Sequence, residues 1–182
     1  MSIHPDYFGT SLKKTAALFK KEKTIDEETF KQLIKPLKEN MYNFIYKALN
    51  FSEDADDVYQ ETVLRAFKYR NSYNRKNIFK TWIFTIANNE IKSYFKKNKK
   101  LQNTVDLEEH LHIIYDTGNE ELVRAIYDMA QNLNPKQRRV FFLFYDHGFS
   151  IREIGEITRL KEGNIKFMLN QSREKIKEKM KN

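Results

Sequence analysis

A chain of 182 residues, 40% hydrophobic and 32% charged, can bury the core of one ordinary domain or of two small ones. With no cysteine it can form no disulfide or cysteine-ligated zinc site, and five glycines and three prolines supply little turn chemistry for a sheet protein. The expected fold class is therefore all-α. No apolar run approaches the ~18 residues of a spanning helix, and the opening MSIHPDYFGTSLKK lacks the apolar core of a signal peptide. A soluble, cytoplasmic protein without membrane insertion is expected.

The net charge of +8 is unevenly spread. Residues 71–100 hold eight Lys/Arg and one acid, 101–134 one Arg and seven acids, and 135–182 twelve Lys/Arg and six acids. Two basic blocks flanking an acidic one fit either a phosphate-backbone footprint or a pair of solvated helix faces.

In chain order, residues 1–27 show only a weak stripe (Leu12, Ala16, Phe19) and form an extension of unknown role. From Phe30 the apolar positions Leu33, Ile34, Leu37, Met41, Phe44, Ile45 and Ala48 follow helical spacing, with a break or kink expected at Pro36. Asp54 is placed as the N-cap of a helix that buries Ala55, Val58, Thr62, Ala66 and Phe67. NSYNRKN (71–77) reads as a polar loop. A further helix through Phe79, Trp82, Ile83, Ile86, Ala87 and Ile91 ends in a lysine run, closing a first domain at 28–100. Residues 101–118 lack sustained periodicity and read as a flexible acidic linker. His110 and His112 lie within it without the carboxylate-rich surround of a metal site, and no metal or other cofactor is expected.

The second domain, 119–182, starts with a helix ending near Leu133. Asn134-Pro135 opens the next helix, Gly148 ends it, and Ser150 caps a short one from Ile151. The segment SIREIGEITRLKEGNIKFML (150–169) has helix-turn-helix spacing. Ile154, Leu160, Ile165 and Met168 form the apolar triangle, and Gly155 stands where only a very small side chain permits close approach. The last helix would then enter a major groove. Its exposed Lys161, Glu162, Asn164, Lys166, Phe167, Asn170, Gln171 and Arg173 are the candidate base-reading residues, since Asn and Gln can pair with adenine, and Lys and Arg with guanine or phosphate.

At LNPKQR, SIREIGEI and LKEGNIKFML the chain resembles the C-terminal domain of sigma-70 family factors of the extracytoplasmic-function (ECF) type. DADDVYQETVLRAF (54–67) and FKTWIFTIANNEIKSYFKKNKK (79–100) are similar to the acidic-Gln-Glu and Trp-Ile-Ala-x-Asn helices of the N-terminal domain of that family. The blocks occur in family order over roughly 28–180. The resemblance implies a sigma factor with a region 2 domain and a region 4 helix-turn-helix domain. Its implied partners are core RNA polymerase and promoter DNA, with an anti-sigma factor as a further candidate.

It also implies roles for residues. Asp56, Asp57, Gln60, Glu61, Leu64 and Arg65 would dock on the polymerase coiled-coil clamp. Tyr73, Asn74 and Arg75, with Asn88, Asn89, Lys92, Tyr94, Lys96 and Lys97, would read and melt the minus-ten element, offering aromatic faces and cations to unstacked bases. Trp82, Ile86 and Ala87 are expected in the core. The sequence departs from the family pattern at Ser93, Gly155, Asn164, Phe167 and Gln171, so promoter sequence does not carry over. The linker is open to two readings, an RNA-like occupant of a basic channel or a solubilising tether.

Two other functions compete. A stand-alone helix-turn-helix regulator explains 135–182 but leaves the first domain without purpose. A metal-dependent nuclease built on Asp54, Asp56, Asp57 and Glu61 lacks the residues that would complete its site. No catalytic residue is expected.

Overall fold

The structure, a computed structural model, describes residues 25–74, 78–101 and 120–180. These form eight α-helices and two short 3-10 turns, with no strand among the described residues.

Helix α1 (Glu27–Ile34) starts at Asp26, whose carboxylate accepts from the Thr29 backbone N–H at 2.7 Å. Pro36 produces the expected break as a 3-10 turn, Lys35–Leu37, which leads into α2 (Lys38–Ala48). Met41, Phe44, Ile45 and Ala48 on α2 are fully buried. Helix α3 (Ala55–Lys68) corrects one expectation. Asp54 sits just before it but makes no cap bond; its carboxylate accepts instead from Tyr94 Oη at 2.6 Å and Ser52 Oγ at 3.1 Å. Helix α4 (Phe79–Leu101) is the spine of the molecule, burying Ile83, Phe84, Ala87 and Ile91 completely.

The C-terminal part comprises α5 (Glu120–Gln131), α6 (Pro135–Tyr145), α7 (Ile151–Thr158) and α8 (Glu162–Met180). Asn134 caps α6, with Pro135 in its first turn. Beyond α6, Gly148 takes a φ of +67°, and the Phe149 N–H reaches back to the Leu143 carbonyl at 3.0 Å. Ser150 and Glu153 form a reciprocal capping box on α7. A Cβ on Gly155 would lie 3.3 Å from the Leu160 carbonyl oxygen, so the α7–α8 turn passes directly over this glycine. Ile154, Ile165 and Leu169 are buried beneath that turn, and Leu160 and Met168 are half-buried at its edge.

The two parts are not held apart. Helix α2 packs on α6 and α4 on α7, so one continuous core runs through both. At its centre the fully buried Phe84 ring lies 5.4 Å from Phe44, 5.2 Å from His147 and 5.0 Å from Phe149 (centroid distances). Local periodicity and linker composition, on which the expectation of two linked domains rests, carry no signal of this packing. The expected linker, 101–118, begins on the last residue of α4; the rest of it lies in residues 102–119, which are outside the described residues, as are residues 1–24.

Phe84→Ala should lower stability by about 3–5 kcal/mol, the usual cost of emptying a buried phenylalanine site. Urea unfolding followed by far-UV circular dichroism checks this; a loss below about 1 kcal/mol would mean that the ring is not central to the core.

Candidate polymerase and nucleic-acid interfaces

On α3 the residues expected to dock on polymerase form an exposed stripe. Asp56, Asp57, Gln60 and Glu61 are all exposed, and Leu64 beside them is 65% exposed despite being apolar. Arg65 is engaged within the molecule, its guanidinium lying 3.0 Å from both Glu61 and Glu90. Glu90 is buried, and that burial raises its carboxyl pKa against the opposing pull of Arg65.

The residues expected to read the minus-ten element divide into two groups. Asn89, Lys92, Lys96 and Lys97 line up along exposed positions of α4, Asn74 is exposed in the loop, and Tyr94 is half-buried. Tyr73 and Asn88, in contrast, are buried. The Tyr73 ring is 5.2 Å from Phe79 and 5.5 Å from Trp82, a core position rather than a free stacking face. Asn88 donates from Nδ2 to the Ile157 carbonyl at 3.1 Å, bonding α4 to α7, while its Oδ1 is buried without a partner. Arg75 lies outside the described residues. Trp82, expected in the core, is half-buried and helps Tyr69 and Asn89 line an open cleft of about 240 Å³. The sequence carried no signal for Tyr69 there, since it ends α3 outside the helical stripe.

On α8, Glu162, Asn164, Lys166, Asn170, Gln171 and Arg173 are exposed, as are Lys161 just before it and Phe167 at 62%. Three of them are tied down. Gln171 accepts from Gln137 Nε2 at 2.9 Å, and Arg173 Nη2 donates to Asn170 Oδ1 at 2.7 Å. Arg173 also borders an apolar groove of about 400 Å³ floored by Ile126, Phe141 and Ile176.

The seam between the two parts is polar as well as aromatic, and sequence reasoning missed most of it. Lys47 is 5% exposed; its Nζ lies 2.8 Å from Asp146 Oδ2 and 3.1 Å from Tyr127 Oη. Lys80 Nζ donates to the His147 carbonyl at 2.8 Å. Arg138 donates to the Ala130, Gln131 and Leu133 carbonyls at the end of α5, and at 3.5 Å to Ala48 at the end of α2. A cation at converging helix C-termini meets the negative ends of their dipoles. One signal was available: Lys47 falls inside the apolar stripe of α2, between Phe44 and Ala48.

Known proteins decide what these surfaces belong to. The sigma-70 region 2 family model matches residues 33–101, and the sigma-70 region 4 model matches residues 123–176. The chain belongs to the sigma-70 family. It is 26% identical over 175 residues to the ECF RNA polymerase sigma factor SigW of Bacillus subtilis, covering 88% of this chain and 94% of SigW. It is 24% identical over 150 residues to SigX of the same organism, covering 77% of each. Among solved structures it resembles the sigma factor RpoE in complex with the anti-sigma factor NepR from Bartonella quintana. The TM-score is 0.75 at 24% identity, with 85% of this chain and 98% of RpoE covered. It also resembles CnrH in complex with the cytosolic domain of CnrY, with a TM-score of 0.61 at 19% identity, covering 86% and 90%. These two show the shared fold. The protein is thus an ECF sigma factor that directs promoter recognition and transcription initiation by RNA polymerase. No helix among the described residues is long and apolar enough to cross a membrane.

In this sigma factor the seam holds a titratable group. Burial pushes the His147 imidazole down to about 4 from an ordinary 6.5; Asp146 pulls the other way, and the ammonium groups of Lys47 and Lys80 reinforce burial. Its Nε2 lies 3.3 Å from Asp146 Oδ2 without the alignment of a hydrogen bond, and its ring is edge-on to Phe44. The unfolded chain takes up this proton near pH 6.5, whereas the folded chain resists it until about 4. The folded state therefore has its full advantage above 6.5 and loses it as pH falls towards 4. Urea midpoints should drop across that window and drop less in His147→Phe; parallel profiles for the two proteins would remove His147 as the cause.

Proposed function

We propose that this sigma factor works through three separate surfaces. The stripe of Asp56, Asp57, Gln60, Glu61 and Leu64 docks on core polymerase. The α4 face bearing Asn89, Lys92, Tyr94, Lys96 and Lys97 engages the minus-ten element. Helix α8 of the helix-turn-helix presents Lys166 and Asn170 to the minus-thirty-five element. Catalysis belongs to the polymerase; no residue of this chain is assigned a chemical step. The division of labour runs with the domains, 28–100 against 119–182, with 101–118 as the connection. RpoE and CnrH are each seen with a protein partner, and an anti-sigma factor is a candidate partner here too.

One observation carries the mechanism: Asn88, on the minus-ten helix, is buried by α7 and bonded to the Ile157 carbonyl. A side chain so placed cannot meet a base. In our reading, promoter engagement requires α7 to leave α4, and the seam is a latch that holds the factor closed. The latch is built for release. Buried ion pairs recover little more than their desolvation cost, and the orphaned Oδ1 of Asn88 gains a partner when the seam opens. The docking stripe on α3 is exposed in the closed form, so capture by polymerase does not wait for opening.

Reversing Asp57 and Glu61 to lysine should abolish binding to core polymerase while helical content is kept, because an acidic stripe meets a basic partner through complementary charge. Normal capture of the double variant in a pull-down would remove α3 as the docking element.

The joint variant Lys47→Ala, Asp146→Ala removes both partners of the pair and leaves no unpaired buried charge. It should form open complexes faster than the unaltered factor on the same promoter, with a smaller gain on a premelted template. Equal rates on duplex DNA for both proteins would show that the seam does not limit promoter engagement.

A further inference from the structure

Another cleft crosses the seam and shares only Lys92 with the surfaces above. It has a volume of about 290 Å³ and is lined by Lys92 of α4, Lys136, Arg139 and Val140 of α6, and Thr158 and Leu160 at the end of α7. Three cationic side chains converge on it from two domains, and none of them has an ion-pair partner among the described residues.

Arg139 is the unusual member. Its Nε is buried and donates to no group. Burial alone draws its guanidinium down to about 10, with no carboxylate offsetting that cost, so the group is charged at neutral pH. The neighbouring Arg138 spends its donors on the carbonyls of α5 and α2, whereas Arg139 spends none. A buried guanidinium without a counter-ion is costly unless something anionic completes it. The planar fork of arginine flanked by two mobile ammonium groups suits the tetrahedral, multiply charged oxygens of phosphate better than a single carboxylate. The volume is at the lower end for ligand sites, enough for a diphosphate and not for a whole nucleotide. Val140 and Leu160 give the cleft an apolar wall.

We propose that this cleft binds a small polyphosphate anion, either free pyrophosphate or the phosphate end of a nucleotide. Because Lys92 comes from one domain and Lys136 and Arg139 from the other, the anion ties the domains together. It therefore stabilises the closed factor, and Lys92 cannot serve promoter DNA while the cleft is filled. The proposal rests on the closed-seam reading above and extends it to a ligand.

Pyrophosphate titrated into the full chain, followed by isothermal calorimetry at fixed ionic strength, tests it. One saturable site is expected. Arg139→Met and Lys136→Met should each weaken it about tenfold or more, the usual worth of a hydrogen bond to a charged group. Lys136 is exposed, so its variant folds even if the Arg139 variant does not. The Lys47→Ala, Asp146→Ala variant should also bind more weakly, because Lys92 is withdrawn when the domains part. GTP that binds more tightly than pyrophosphate identifies a nucleotide as the source; equal affinity identifies the free anion.

The absence of cysteine allows a dye pair at Ser93→Cys and Arg152→Cys to report closure in the same samples. Rising energy transfer with pyrophosphate supports the tie. A closed dye pair without saturable binding overturns the ligand and leaves the closed seam standing, whereas a dye pair that is open from the outset overturns both. Matched heat from sulfate, or heat unchanged in Arg139→Met, means non-specific charge only. Duplex DNA binding that requires Arg139 while pyrophosphate gives no heat assigns the cleft to promoter phosphates instead, and also overturns the proposal.

Discussion

The arrangement of this sigma factor depends on one buried meeting point, where Phe84 of α4 lies among Phe44, His147 and Phe149 with the Lys47–Asp146 pair beside it. The aromatic rings supply most of the attraction, since each such ring removes well over 100 Å² from water. The polar groups set the register. Lys47 can satisfy its donors only when Tyr127 and Asp146 stand opposite it, and Arg138 reaches Ala48 only when α2 and α6 are aligned. Displacing α6 along α2 would leave a buried cation without partners, at a cost of several kcal/mol. The seam is therefore specific in geometry while remaining modest in net strength, the balance expected of an interface between domains.

The individual helices were legible because their signals are local. Periodicity located α2, α4 and α6; Pro36 marked a break; Asn134-Pro135 and Ser150 marked two starts that the cap bonds bear out. Gly155 was legible as well, because the tight α7–α8 turn leaves a carbonyl oxygen 3.3 Å from where its Cβ would stand. Asp54 shows where local rules fail. It has the right identity for an N-cap, but Tyr94, forty residues on, takes its carboxylate, and a tertiary hydrogen bond to a phenol competes with the orphan N–H of one helix turn.

The site was legible in outline and not in accessibility. Residue type and helical position indicate which side chains share a face, and the exposed runs on α3, α4 and α8 follow from that. Whether another part of the chain covers a face is a long-range property. Asn88 is sixty-nine residues from the carbonyl it binds, and Lys47 ninety-nine from Asp146. Neither pairing leaves a trace in the pattern around either residue, except that a lysine inside an apolar stripe must find a partner or face solvent. Tyr73 was misplaced for a related reason. An aromatic in a polar loop looks available, yet the loop folds back and sets the ring against Phe79 and Trp82.

Closure does not hide all functional surfaces equally, and the inequality has a physical basis. The α3 stripe and the outer face of α8 are charged and exposed; burying either would desolvate several ionic groups. The α4 face is different, because at Asn88 it presents a neutral amide that donates to a carbonyl in the last turn of α7. Lys96 and Lys97 further along α4 are exposed, as is Lys92 at the cleft it shares with Arg139 and Lys136. Bringing those three like charges together opposes closure, and that repulsion falls as salt or a bound anion screens it. Closure is thereby coupled to the anions around the protein: the cations that line the cleft are the ones that push it open when no anion is present.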